Sequence, residues 1–106
     1  MIDWTQVRML RSEIGEDGFA EVAEVFLEEM AAAVRDLPAA DADALRGALH
    51  GMKGAASNLG MAALAEACAR AERSDDPAAA LPRDVLARMF DQSRAALLDG
   101  LARGAG

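Results

Sequence analysis

His50 is the only histidine in the chain, and it heads the run His50-Gly51-Met52-Lys53-Gly54-Ala55-Ala56-Ser57-Asn58-Leu59-Gly60. On a helix turning roughly 100° per residue, His50, Lys53, Gly54 and Ser57 share one stripe. Leu45, Leu49, Met52, Ala56 and Leu59 share another, pointing in a clearly different direction. The imidazole is therefore expected to face water, with an ammonium one turn on and bare backbone beside it. A neutral imidazole is a competent nucleophile at cellular pH. Lys53, three residues on, would stabilise a phosphoryl group arriving on the ring and help orient an incoming acyl phosphate. Ser57 is either a hydrogen-bond donor on the same stripe or a small polar surface residue.

Other chemistries fit poorly. With one histidine there is no His pair for a metal, and no acidic residue lies within a helical turn of it. The single Cys68 excludes an internal disulfide framework and a cysteine cage, and fits a reducing cytoplasm. No G-x-S-x-G elbow accompanies Ser57. No P-loop or other ATP-binding segment is present, so no kinase activity is expected of this chain. Lys and Arg total 11 against 18 Asp and Glu, a net charge of -7, which argues against nucleic acid and against an anionic membrane surface. No apolar stretch approaches the ~20 residues that cross a bilayer. The opening Met-Ile-Asp-Trp lacks a basic leader and a hydrophobic segment, so no export signal is expected.

The elements that must hold the histidine are helices. Apolar residues make up 53% of the 106 residues and aromatics only 4%, which suits close-packed helices, and no segment alternates like a strand. Asp3 is a good N-cap for a first helix from about Trp4 to Ser12, and Gly15 ends it or its connector. A second helix is expected from near Asp17 to about Leu37. Phe19, Val22, Phe26, Met30, Ala33 and Leu37 lie on its inner face, Glu21, Glu24 and Glu28 on a wet side, and Pro38 stops it. Asp41 or Asp43 caps the histidine helix, which runs to Leu59, with Gly60 ending or kinking it. A fourth helix, Met61 to Ser74, turns Leu64, Ala67, Cys68 and Ala71 inward. Asp75 to Ala80 reads as the longest loop. Pro82 fits the first turn of a fifth helix that ends at Gly100 or Gly104. Short connections imply antiparallel neighbours. The expected architecture is all-α: one domain, residues 1–106, an antiparallel up-and-down four-helix bundle with a short additional N-terminal helix.

Gly47, Gly51 and Gly54 lie inside the histidine helix, each costing about 1 kcal/mol relative to alanine. Two explanations compete. A missing side chain lets helices pack closely, or it lets another protein reach the ring. Access is the better reading for Gly54. Gly47 fits either, and Gly51, further round, fits packing.

The string His50-x-x-Lys53-Gly54-x-x-Ser57-x-Leu59-Gly60, with Leu49 before it and Leu64, Cys68 and Glu72 after it, resembles the histidine-containing phosphotransfer (HPt) domain family. Asp3, Gly15, the Phe26-Leu27 pair and the Ala40-x-x-x-x-Leu45 approach extend the likeness over nearly the whole chain. The resemblance implies that His50 is phosphorylated through Nε2, that Lys53 is the nearby cation, and that Gly54 stays bare so that a receiver domain can dock. It implies a response-regulator receiver carrying a phospho-aspartate as partner, together with a sensor histidine kinase. It implies no cofactor in this chain, the Mg²⁺ belonging to the receiver. A glutamine near the imidazole is common in the family; here Glu72 or Arg73 occupies that region, and which of them assists His50 stays open. The implied protein is a cytoplasmic, monomeric phosphoryl carrier of a two-component phosphorelay. The rival is a phosphate-independent helical adaptor, which accounts for the bundle and the acidic charge but not for His50, Lys53 and Gly54 sharing a stripe.

Overall fold

Asp3 opens the fold as anticipated. Its carboxylate accepts from the backbone N–H groups of Thr5 (3.1 Å) and Gln6 (3.3 Å), satisfying donors that the first helical turn leaves free. The computed structural model describes residues 1–38 and 40–105. Its helices are α1 (Trp4–Arg35), α2 (Ala42–Asn58), α3 (Ala62–Arg73), α4 (Pro77–Ala80) and α5 (Arg83–Ala102). Among the described residues there is no strand. Ile2 and Met61 form one isolated antiparallel bridge.

Two elements differ from the sequence expectation. The short N-terminal helix is not a separate piece, because α1 carries it and the first bundle helix in one run, broken at Gly15 (φ 81°, ψ 166°). Gly15 thus reorients the chain without a loop, in a conformation that side chains other than glycine resist. The expected loop after Asp75 holds the four-residue α4, whose N-cap Asp76 accepts from Ala79 N–H (3.2 Å) while Pro77 supplies the first helical position. Pro77 is buried, and α4 packs on α2 and α3. Of the two candidate caps for the histidine helix, Asp41 serves, accepting from Asp43 N–H (3.0 Å) and Ala44 N–H (3.2 Å).

The long helices form a ring. α1 packs on α2 and α5, and α3 packs on the same two. Neighbours run antiparallel: Arg46 of α2 meets Ser74 just beyond α3, and His50, one turn later, meets Glu72, two residues earlier. The interior is filled by Met30, Leu45, Leu49, Leu59, Met61, Leu64, Leu86 and Leu97, each at most 2% exposed. On α1 the fully inward residues are Val7, Phe19, Ala23, Met30 and Val34. Val22, Phe26 and Ala33 of the expected face are only half-buried. Burial raises the Cys68 thiol to about 11, so this cysteine is a packing residue with little thiolate.

One end of the bundle is tied by the N-terminal arm. Asp3 N–H donates to the Gly60 carbonyl (2.7 Å) in the turn between α2 and α3. The Trp4 ring lies directly on the backbone of Gly100 in α5, where any side chain would overlap it. The arm therefore bridges the α2–α3 turn to the last turns of α5.

Candidate functional site

α2 presents His50 as its spacing dictates. Leu45, Leu49, Met52 and Ala56 are buried, which fixes the rotation of the helix and turns the His50 side chain outward at 67% exposure. The carboxylate of Glu72, on the facing α3, reaches the imidazole: its two oxygens lie 3.1 and 3.3 Å from Nδ1. Arg73, one residue further, does not. Among the described residues Nε2 has no protein partner and faces solvent.

A carboxylate accepts only, so Nδ1 is the protonated nitrogen in this contact, and the lone pair of the neutral ring sits on Nε2. The same carboxylate lies 3.5 Å from Lys53 Nζ. Glu72, with its side chain 27% exposed, thus sits between the imidazole and the ammonium, and all three groups gather along the α2–α3 seam. The seam is held in register by Arg46, one turn before His50. Its guanidinium donates to the carbonyls of Ser74 (3.1 Å) and Asp75 (3.4 Å), just past Glu72, and also pairs with Asp43 (3.3 Å). A cation at the carbonyl end of α3 is favourably placed against the helix dipole.

The glycines around His50 all border open space. A Cβ built at Gly47, Gly51 or Gly54 would meet no atom within 4 Å. Close packing therefore explains none of them, and the packing reading of Gly51 is corrected. Gly47 and Gly51 instead line a shallow groove between α1 and α2, with Ala33, Ala48 and Ala55. Bare backbone thus extends from His50 toward α1. Gly54 is also open, on the side of Lys53. Ser57 is exposed, forms no side-chain hydrogen bond to His50, and shares with Lys53, Gln6 and Glu66 a depression of about 400 Å³ below the site.

Sequence reasoning placed His50, Lys53, Gly54 and Ser57 on one stripe, and they lie on one helix face. It missed two things. The first is which α3 residue meets the ring, since that depends on the register between two helices. The second is Arg46, which helical projection leaves at the edge of the inward face.

The Hpt domain model matches residues 21–96, most of the chain, and the chain belongs to that family. Family membership gives it a histidine phosphotransfer role in phosphorelays, a role whose usual partners are kinases and receiver domains. The matched span contains α2, α3 and α4 whole and leaves the N-terminal arm outside it. No curated protein and no solved structure matches the chain. Among the described residues, no helix is long and apolar enough to cross a membrane.

Proposed function

We propose that His50 is the phosphoryl acceptor and donor, exchanging the group with a receiver-domain aspartate through Nε2. The observation that carries this reading is the Nδ1–Glu72 contact, which leaves the opposite nitrogen solvent-facing and nucleophilic. The Nε2 lone pair attacks phosphorus as the bond to the aspartyl oxygen breaks, and the aspartate leaves as a carboxylate. The ring keeps its Nδ1 proton and gains positive charge, which the Glu72 carboxylate stabilises at 3.1 Å. Lys53, held 3.5 Å from Glu72, lies on the same helix stripe as His50 and balances the charge of the transferred phosphoryl. Reversal uses the same groups, so the chain supplies a nucleophile, its orientation and a landing surface. Mg²⁺ belongs to the receiver in this reading, a sensor kinase stands upstream, and the carrier works as a cytoplasmic monomer. Ser57 contributes a polar surface and no contact to the ring.

The test is transfer of labelled phosphate from a receiver charged with acetyl phosphate. The label on this chain should be acid-labile and alkali-stable, as a phosphoramidate is; alkali-labile label would place it on a hydroxyl, if acid-stable, or on a carboxylate, if acid-labile too, and defeat the reading.

Two substitutions probe the site further. Glu72→Ala removes the group that fixes the tautomer, and transfer should slow by about tenfold or more, as when the partner that orients a metal-ligating histidine is removed. Glu72→Gln keeps an acceptor toward Nδ1 but not the negative charge, and should recover only the share of the rate that orientation supplies. Equal loss in both would assign the effect to the carboxylate's charge instead of to orientation. Gly54→Gln should stabilise α2 by a few tenths of a kcal/mol through helix propensity while slowing transfer by about tenfold, because it raises a side chain where the partner lands. Unchanged transfer rates, measured by rapid quench, would show that docking does not use this face.

A further inference from the structure

The ring of helices has a second open seam, diagonally across from the one that holds His50. There α1 and α5 form a groove of about 500 Å³. Phe19 forms its floor at 4% exposure, Leu27 and Leu101 are half-buried walls, and Leu98 stands 49% exposed at its lip. Ala20 and Ala23 are too small to fill it. Acidic residues rim it: Glu16, Asp17 and Glu24. Among the described residues the one cation at the rim, Arg11, is engaged, with Nε 3.4 Å from Glu16 and the guanidinium stacked 4.8 Å over the Phe19 ring. Among the described residues, Asp17 and Glu24 have no ion-pair partner.

We propose that this groove docks an amphipathic helix of another protein, with apolar side chains one turn apart flanked by lysine or arginine. An apolar trough of this form takes residues at i, i+3, i+4 spacing, and the unpaired carboxylates on its edge select basic neighbours. Charge also decides against the alternatives. A second copy would bring the same acidic rim and a net charge of -7 against itself, and an anionic membrane would be repelled. The α1–α5 seam is not the α2–α3 seam, so an occupant there leaves His50, Glu72 and Lys53 uncovered. Binding would tether the carrier without blocking its phosphoryl exchange, and the inference does not depend on the phosphotransfer reading.

The probe is a fluorescein-labelled helical peptide with leucine on one face and lysine on the other, compared with a version carrying glutamate for lysine. Anisotropy should show the lysine peptide binding and the glutamate peptide failing. Leu98→Gln, a substitution at an exposed position, should weaken binding by about tenfold. Asp17→Lys with Glu24→Lys should exchange the preference, so that the glutamate peptide binds and the lysine peptide does not. In amide spectra of the complex, Phe19, Leu27 and Leu98 should shift while His50 and Glu72 stay in place. The proposal is overturned if the lysine peptide does not bind, if Leu98→Gln binds it equally well, or if the shifts fall on the α2–α3 seam. It is also overturned if sedimentation shows the chain self-associating through a surface that Leu98→Gln disrupts, since the occupant would then be a second copy.

Discussion

His50→Gln should take up no phosphate from a charged receiver while folding as well as the unsubstituted chain. Glutamine is a good helix former and the side chain it replaces is 67% exposed, so the change in stability should stay within about 0.5 kcal/mol. Its amide lacks a ring nitrogen with a free lone pair, and no other histidine exists to replace it. Cys68 is no substitute, because it is buried and its thiol is raised to about 11. Circular dichroism and urea unfolding establish that the variant is folded; the labelling assay then reads chemistry alone. Equal labelling of the variant would put the acceptor elsewhere and end the assignment of His50.

Gly60→Ala should be strongly damaging, lowering stability by about 2–4 kcal/mol. Two costs act together. Gly60 has φ +72°, a left-handed conformation that costs an L-residue about 1–2 kcal/mol. A Cβ there would also lie 2.5 Å from the Asp3 carbonyl oxygen and 3.1 Å from Val7 Cγ2, and neither the backbone oxygen nor a fully buried valine yields easily. The arm would be pushed off the α2–α3 turn, breaking the Asp3 N–H to Gly60 carbonyl bond. The matched control is Gly54→Ala. It meets open space and should raise stability by about 1 kcal/mol through helix propensity. Urea midpoints of the pair should therefore move in opposite directions. A Gly60→Ala midpoint equal to that of the unsubstituted chain would mean the turn does not need its left-handed residue.

The helices and the exposed histidine were legible from periodicity, because burial of Leu45, Leu49, Met52 and Ala56 leaves α2 only one rotation. Asp3 was legible as a cap, and Asp41 as one of two candidates with Asp43, because the chemistry of an orphaned N–H is local. What escaped the sequence is what depends on two elements at once. Glu72 and Arg73 are adjacent on α3, and only the inter-helix register decides that Glu72 meets the imidazole. Sequence favoured access for Gly54 and packing for Gly51 and left Gly47 open, since the distinction is made by what lies opposite each glycine. α4 was hidden because its four residues are too few to show a period, although Asp76 followed by Pro77 carries the signal of a helix start. The continuity of α1 through Gly15 was equally hidden, since a glycine at positive φ can end a helix or redirect one.

Arg46, His50, Lys53, Glu72 and the carbonyls that Arg46 holds all belong to one helical hairpin, closed by the short turn at Leu59 to Met61. Nothing in the reacting triad is borrowed from α1 or α5. Distortion of those outer helices, whether by fraying, by a bound partner or by mutation, would thus carry the nucleophile, its counter-ion and its cation along as a single rigid passenger. Distances between them would be preserved even as their surroundings moved.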